Sequence, residues 1–286
     1  SRRRHTRCRV IFKMKIEKIC EDLLSCLEGK NYSELPSETL SKLAIDDAYK
    51  IANAIKSHRL QKGETLGGVK IGFTNKSLWE KYGVDFPIFG MMYNTTIADK
   101  YEKIHINRYL EPKIEPEIYF KFSEKPNSKM SDCELLTCCS SFGVGIEIVN
   151  SVYKNWNFSG SDAIAAFGLH AEYRYLAEVP LIKYKHKIKD FSKNLTSFSI
   201  SLIKNGSLLE KGYSSNILGK GPIEALRLYV LFCEKHEPDW LMLNRPITTG
   251  TITNAYDVSV GETYTFVVDG FQIEELERTT LGPIAV

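Results

Sequence analysis

The stretches Ile114-Glu115-Pro116-Glu117-Ile118 and Gly145-Ile146-Glu147-Ile148-Val149 are two candidate β-strands that carry acidic residues. Alternate side chains of a strand point to the same face, so Glu115 and Glu117 share one face. Glu147 has apolar neighbours, and burying an ionised carboxylate among them is costly unless it is paired or binds a metal. Three converging carboxylates would form a site for a hard cation such as Mg²⁺ or Mn²⁺.

Folding alone offers another explanation for each of these acidic residues. A Glu-x-Glu pair on one strand face is more often a solvated edge. Glu147 could instead be neutralised by a lysine or an arginine. The two segments together favour a metal site, and motifs elsewhere in the chain are needed to choose between these explanations.

The length and composition of the chain are typical of a globular protein with a large core. Its 286 residues are 43% hydrophobic and 26% charged, which allows one large domain or a main domain with a smaller one. No apolar run approaches the roughly 20 residues of a membrane-spanning helix. We therefore expect no contact with a membrane.

The charge is distributed unevenly along the chain. Residues 1–13 hold six of the 38 basic residues and no acidic one, which leaves 32 basic residues against 35 acidic ones in the remainder. A chain with this balance is not expected to bind nucleic acid. We interpret residues 1–13 as a leader or an expression remnant and Met14 as the natural start.

The cysteines indicate a reducing environment. There are seven, an odd number, and none forms a C-x-x-C motif. Cys138 and Cys139 are adjacent, which is poor geometry for a disulfide, and several others lie at apolar positions. The sequence therefore predicts a cytoplasmic protein without structural disulfides.

Hydrophobic periodicity predicts an α+β protein. Apolar residues recur at helical spacing over residues 15–30 and 37–60, and we assign residues 14–65 to a small N-terminal helical cap. Residues 66–286 then form a β-rich, metal-binding catalytic domain. Its predicted elements are strands at 69–73, 114–122 and 143–151, helices at 77–82, 131–140 and 221–235, and hairpins at 197–203 with 208–212 and at 263–268 with 271–276.

Motifs spread from about Asp46 to the C-terminus resemble those of one family. They are Asp47-Ala48-Tyr49, Val69-Lys70-Ile71-Gly72-Phe73-Thr74, Gly83-Val84-Asp85, Phe89-Gly90, the two glutamate strands, Leu218-Gly219 and Thr249-Gly250-Thr251-Ile252-Thr253. Their order and spacing resemble the fumarylacetoacetate hydrolase superfamily, in its branch of 2-oxopent-4-enoate hydratases and 4-oxalocrotonate decarboxylases. No single motif is decisive, but their combination is specific.

The resemblance implies a mixed β-roll or barrel-like fold, a divalent metal and a small 2-oxo acid substrate. It also implies a homodimer or a higher homo-oligomer and a place in aromatic catabolism. By motif, the metal ligands would be Glu115, Glu117 and Glu147, the catalytic residues Lys70 and Asp162, and the substrate-binding residues Ile71 and Thr251. A bound cation would act as a Lewis acid on the keto group of the substrate.

The chain departs from the family pattern in one segment. The family usually has D-N-A-S-S-G where this chain has Asp162-Ala163-Ile164-Ala165-Ala166-Phe167-Gly168. Two further positions differ from the family pattern. The aspartate that usually follows the strand of the third metal ligand is Asn150 here, and a usually polar loop position is Ile88. These changes predict a retained metal site in a more apolar pocket. His170 and Glu172 follow the altered segment; His170 is a candidate for substrate binding or acid–base chemistry, although a lone histidine is more often structural.

We expect a divalent-metal-dependent lyase, most simply a 2-oxopent-4-enoate-type hydratase. One alternative is a 4-oxalocrotonate-type decarboxylase, whose dianionic substrate would need an extra cation, for which Lys113, His170 and Arg174 are candidates. Another is an acylpyruvate C–C hydrolase, which usually has a His–Glu pair on the cap, where His58 is the only histidine. The last is an inactive relative that keeps the metal site.

Overall fold

The computed structural model describes residues 2–98, 102–271, 276 and 279–286. Its α-helices in this part are α1 (Arg2–Gly29), α2 (Pro36–Thr39), α3 (Ile45–Gln61), α4 (Trp79–Tyr82), α5 (Asp132–Thr137), α6 (Gly160–Ala165), α7 (Ile188–Asn194) and α8 (Pro222–Lys235). Its strands there are β1 (Leu66–Gly72), β2 (Ile88–Tyr93), β3 (Ile97–Ala98), β4 (Pro112–Phe122), β5 (Cys139–Asn150), β6 (His170–Pro180), β7 (Ser199–Lys204), β8 (Ser207–Tyr213), β9 (Pro246–Thr251), β10 (Tyr256–Asp257), β11 (Thr263–Asp269) and β12 (Thr279–Ala285).

The strands form two sheets. The eight-stranded sheet has the order β2-β1-β9-β4-β5-β6-β3, with β10 paired to β4, and the four-stranded sheet has the order β12-β11-β7-β8. In the larger sheet β1 is parallel to β9 and β3 is parallel to β6, whereas β4 is antiparallel to both β5 and β9. All pairs of the smaller sheet are antiparallel, and the two sheets with their flanking helices make this the α+β fold that the sequence predicts.

The longest pairing lies at the centre of the larger sheet. Strands β4 and β5 pair from Pro112 opposite Asn150 to Phe122 opposite Cys139. Nearly all of β5 is buried, so its apolar side chains contribute to the core on both faces. Because a shift of one residue would turn every side chain to the other face, this pairing fixes the direction of the three glutamates.

Aromatic side chains attach helix α3 to the larger sheet. The Tyr49 ring lies 4.9 Å from the Phe232 ring of α8, and the Phe89 ring of β2 lies 4.4 Å from the same phenylalanine. The Tyr49 hydroxyl also accepts a hydrogen bond from the Phe89 backbone N–H at 3.2 Å. Such ring pairs contribute about 0.5–1.5 kcal/mol each beyond their buried area. They hold β2 in place beside β1, which carries Lys70.

Several predicted elements are confirmed within a few residues. The hairpin of β7 and β8 turns at Asn205-Gly206, helix α8 begins at Pro222, and Gly83 ends α4 in the left-handed conformation with a φ of 64°. The predicted strands at 69–73, 114–122 and 143–151 correspond to β1, β4 and β5. These elements have strong local signals in turn residues or in apolar periodicity.

Other predicted elements differ from the structure. Helix α1 is longer than residues 15–30 and begins at Arg2, and residues 37–60 contain two helices, α2 and α3. The predicted helix at 131–140 ends at Thr137 because β5 begins at Cys139. In the last hairpin, β11 pairs with β12; most of its predicted partner, residues 271–276, lies outside the described residues.

The division into a cap (14–65) and a catalytic domain (66–286) stays a prediction. Ile19 of α1 and Ile51 of α3 belong to the same buried cluster as Ile71 and Ile118 of the sheet. The six cysteines whose side chains are described are free thiols. Among the described residues, no helix combines the length and the apolar character needed to cross a membrane.

Candidate active site

Three glutamates of the central strands meet at one point. Glu115 and Glu117 extend from β4, and Glu147 extends from β5 directly opposite Glu115. One carboxylate oxygen from each lies within 4.8 Å of the others. Glu117 and Glu147 are fully buried, and Glu115 is partly buried. The structure therefore brings together the three side chains that the sequence singled out as metal ligands.

A glycine makes room beside this carboxylate group. Gly145 lies opposite Glu117 in the β4–β5 pairing. A Cβ atom at position 145 would collide with the hydroxyl of Tyr173, which packs against this glycine. Tyr173 pairs with Glu147 across β5 and β6, so its phenol lies on the same face as the glutamates. The sequence reasoning missed Tyr173, because no motif marks it.

The carboxylate group fits a divalent cation. Neither carboxylate oxygen of Glu117 has a hydrogen-bond partner among the described residues, although both are buried. Burial raises the pKa of Glu117 well above its usual range, and the charges of Glu147 and Glu115 raise it further. Burial also raises the pKa of Glu115 to about 7, against an opposing effect of Lys70. A hard cation would satisfy these oxygens and offset their repulsion.

Lys70 is the cation already present beside the three glutamates. Its Nζ donates a hydrogen bond to the Gly168 carbonyl at 2.9 Å and lies 3.3 Å from Glu147 Oε2. Burial alone would lower the pKa of Lys70, but the charges of the glutamates, Glu147 first, raise it above its usual value. The negative charges of the site therefore favour the protonated form of Lys70, which pairs with Glu147.

Among the three glutamates, Glu147 has positively charged or hydrogen-bonding partners within the protein, Lys70 and His170. Burial favours its protonated form, but Lys70 and His170 outweigh burial and lower the pKa of Glu147. His170 Nδ1 lies 2.7 Å from Glu147 Oε1, and His170 Nε2 lies 2.9 Å from the Thr96 hydroxyl. His170, predicted to bind substrate, therefore contacts a glutamate of the site and a threonine that the sequence reasoning missed.

The two other predicted substrate residues have contacts within the protein. Thr251 pairs with Glu117 across β9 and β4, which places it beside the glutamates. Its hydroxyl donates to the Thr253 carbonyl at 2.9 Å. This hydrogen bond within the turn is an alternative to the predicted contact with substrate. Ile71 is fully buried in the core, and its side chain points away from the face of Lys70 because neighbours on a strand alternate.

Asp162 has a different environment from the one its motif implies. Its carboxylate accepts hydrogen bonds from the Ser37 N–H and hydroxyl at 2.8 and 2.9 Å, and from the Ser159 N–H and hydroxyl at 3.0 and 2.7 Å. With Ser159 it forms the capping box of α6. Both of its oxygens are occupied, so these contacts favour a structural role over the predicted catalytic one.

Replacing Asp162 by alanine tests that role. We expect Asp162→Ala to lower the free energy of unfolding by about 2 kcal/mol or somewhat more, because a helix cap and the contact with Ser37 are both lost. Urea unfolding measures this change. Turnover per folded molecule should stay within a few-fold, whereas a loss of about 100-fold would support the catalytic role that the motif implies.

An isoleucine of β2 lies near Lys70. Ile88 and Lys70 Nζ both lie within 3.6 Å of the point where a Cβ of residue 72 would stand. Ile88 and Ile164 also line a cleft of about 710 Å³ that opens between α3, α8 and the loop before β2. Ile88 is therefore an apolar neighbour of Lys70, but neither Lys70 nor the three glutamates line this cleft, and the more apolar pocket at the glutamates stays a prediction.

The three candidate cations for a second substrate carboxylate all have protein partners. Lys113 Nζ donates to Asp257 at 2.6 Å. Arg174 pairs with Glu172 and donates to the carbonyls of residues 102 and 103. His170 contacts Glu147 and Thr96, as described above. Each of the three would therefore have to leave or share its protein partner to bind a second substrate carboxylate.

Comparisons with known proteins identify relatives of this chain. It is 26% identical over 214 residues to a 4-oxalocrotonate decarboxylase from Pseudomonas sp., a match that covers 74% of this chain and 78% of that protein. It is 28% identical to a 2-keto-4-pentenoate hydratase from Paraburkholderia xenovorans, covering 52% of this chain and 56% of that protein. No protein-family model matches the chain.

Solved structures show the same fold. The 4-oxalocrotonate decarboxylase from Pseudomonas putida G7, in complex with magnesium and adipate, superposes with a TM-score of 0.80 at 19% identity, covering 91% of this chain and 95% of that one. A fumarylacetoacetate hydrolase family protein from Yersinia pestis has a TM-score of 0.54 at 11% identity, covering 78% of this chain and 94% of that one. The predicted fumarylacetoacetase-type fold is confirmed.

The fold is thus that of fumarylacetoacetate hydrolase family proteins. Within this class, the relatives of the chain are 4-oxalocrotonate decarboxylases and 2-keto-4-pentenoate hydratases, so the predicted branch is confirmed. Both names describe lyases, which agrees with the predicted class of enzyme.

Proposed function

We propose that this protein is a divalent-metal-dependent lyase of 2-oxo or 2-hydroxydienoic acids, most simply a 2-oxopent-4-enoate-type hydratase. The observation that carries the proposal is the buried group of Glu115, Glu117 and Glu147 with Lys70 beside it. The hydratase relatives and the decarboxylase relatives match the chain at similar identity. The choice between the two reactions therefore depends on this chain's own residues.

Each residue of the site has a proposed task. Glu115, Glu117 and Glu147 would hold the metal, which when bound supplies Lewis-acid polarisation of a 2-oxo group. Lys70, charged and 3.3 Å from Glu147, would steady the substrate carboxylate or enolate oxygen. Its ammonium group can also hold the proton that a developing oxyanion needs.

The engaged cations favour hydration over decarboxylation. A 2-oxo-enedioate carries a second carboxylate, which needs a cation or several donors when it leaves water. Lys113 and Arg174 are held by Asp257 and Glu172, and His170 is held by Glu147. A monoanionic dienoate needs no such partner, and Ile88, which lies near Lys70, offers an apolar contact for its hydrocarbon part.

The remaining alternatives receive less support. A C–C hydrolase would need an activated water, and among the described residues His58 forms no ion pair or side-chain hydrogen bond with a glutamate of the cap. An inactive relative is favoured only by the apolar segment at 163–167. We further propose Mg²⁺ as the metal, with Mn²⁺ as a substitute, a homodimer or larger homo-oligomer, cytoplasmic location and a role in aromatic catabolism.

A substrate panel tests the proposed function. We would assay 2-hydroxydienoates, 2-oxo-enedioates and acylpyruvates with Mg²⁺ or Mn²⁺, following loss of the ultraviolet chromophore, CO₂ release and product structure. We expect metal-dependent loss of a 2-hydroxydienoate without CO₂ and without C–C cleavage, and turnover should fall to background with a chelator. Glu178→Gln, which alters a glutamate outside the site, should retain turnover, whereas Glu147→Ala should not.

The other outcomes each support a different alternative. Stoichiometric CO₂ release would make the protein a decarboxylase, and cleavage into two acids would make it a hydrolase. A complete lack of turnover across the panel, with Mg²⁺ still bound, would favour the inactive relative and overturn the proposed lyase activity on these substrates.

A further inference from the structure

A β-bulge turns His170 towards the glutamates. Ile148 of β5 pairs with Glu172, but the next residue, Val149, pairs with His170, so Ala171 is an extra residue in β6. Without it, His170 would share the face of Glu172, two positions away. With it, His170 lies on the face of Val149 and Glu147. Bulges commonly redirect a side chain in this way next to active sites.

Both ring nitrogens of His170 have defined partners. Thr96 Oγ1 accepts a hydrogen bond from the Tyr93 N–H at 3.0 Å, donates one to the Tyr93 carbonyl at 3.1 Å and lies 2.9 Å from His170 Nε2. His170 Nδ1 lies 2.7 Å from Glu147 Oε1, and because a carboxylate oxygen can only accept, Nδ1 is the donor in this contact. The Glu147 carboxylate thus assigns the donor role to Nδ1, and Thr96 is the polar partner of Nε2.

The two carboxylate oxygens of Glu147 have different partners. Oε1 is held by His170, while Oε2 lies 3.3 Å from Lys70 Nζ and is a buried oxygen without a hydrogen-bond partner among the described residues, so it is the oxygen left for a cation. The His170 side chain is 2% exposed and both of its nitrogens are engaged, so it has no free atom for a substrate. It can act on the reaction only through Glu147.

We propose that His170 is a positioning residue for the metal site: it fixes the Glu147 carboxylate so that Oε2 points to the cation, and Thr96 fixes His170. The inference rests on the metal site of the proposed function. Residues that orient a metal ligand by a hydrogen bond typically account for about 10- to 100-fold in metal affinity. His170 therefore tunes metal affinity and does not contact the substrate.

Titration calorimetry of the metal-free protein with Mg²⁺ tests the proposal. His170→Leu keeps an apolar side chain of moderate size but removes the donor, and we expect Mg²⁺ to bind about 10- to 100-fold more weakly. His170→Asn places an amide N–H near the position of Nδ1 and should retain affinity within a few-fold. Thr96→Val leaves Glu147 and His170 intact, removes the outer hydrogen bond and should cause a smaller loss.

The results separate this inference from the proposed function. Glu117→Gln is titrated in parallel, and its loss of Mg²⁺ binding would support the metal site itself. If that variant loses Mg²⁺ while His170→Leu and Thr96→Val bind as the unaltered protein does, the positioning role is overturned and the metal site stands. Equal losses in His170→Leu and His170→Asn would also overturn it, since the loss would then depend on packing and not on the donor. Unchanged binding in Glu117→Gln would overturn both.

Discussion

Glu117→Gln is expected to lose the Mg²⁺-dependent stabilisation that the unaltered protein shows. Glutamine has nearly the same shape, but it removes one of the three charges that would attract the ion. An ion that binds only the folded protein stabilises it by about 2.7 kcal/mol at a concentration 100 times its dissociation constant. Thermal unfolding with and without Mg²⁺ measures this difference, which should be close to zero in the variant.

The metal-free form of the same variant separates lost binding from lost folding. Glu117 is buried, neither of its oxygens has a hydrogen-bond partner among the described residues, and burial raises its pKa. Removing its charge should leave the metal-free protein as stable as before or more stable. Glu178→Gln is the matched control, because Glu178 binds Lys121 and Ser141 outside the site. A full Mg²⁺ effect in Glu117→Gln would contradict the metal site.

The position of the carboxylates could be predicted from the sequence because the rules involved are local. Strand alternation puts Glu115 and Glu117 on one face, and the apolar neighbours of Glu147 indicate a buried strand. The structure pairs Glu115 with Glu147 directly. The same holds for the hairpin at Asn205-Gly206, whose turn residues specify it.

The contacts that the sequence did not reveal depend on long-range geometry. The direction of His170 depends on one extra residue in β6, and its partner Thr96 lies 74 positions earlier in the chain. Alternation without the bulge would place His170 beside Glu172. Asp162 shows a second limit of sequence-based prediction. A motif marks this residue, but the contact that favours a structural role for its carboxylate is with Ser37, 125 positions away in the chain.

Lys70→Met should have the largest effect on both stability and activity. It would leave the buried Glu147 carboxylate with His170 as its remaining partner and would remove the donor to the Gly168 carbonyl. Breaking a buried ion pair typically costs about 3–5 kcal/mol. We expect a loss of this size in urea unfolding of the metal-free protein, and a smaller loss with Mg²⁺, whose charge also offsets Glu147.

A double-mutant cycle shows whether this cost belongs to the pair. Glu147→Gln alone leaves Lys70 charged and buried, whereas Lys70→Met with Glu147→Gln removes both charges, so the double variant should be more stable than the sum of the single losses implies. Strictly additive losses would mean that the two charges act independently despite their 3.3 Å separation. Turnover separates structure from chemistry, because Lys70→Met should remain at least about 100-fold slower even with Mg²⁺ bound and the fold restored. Recovery of turnover together with stability would reduce Lys70 to a charge partner for Glu147.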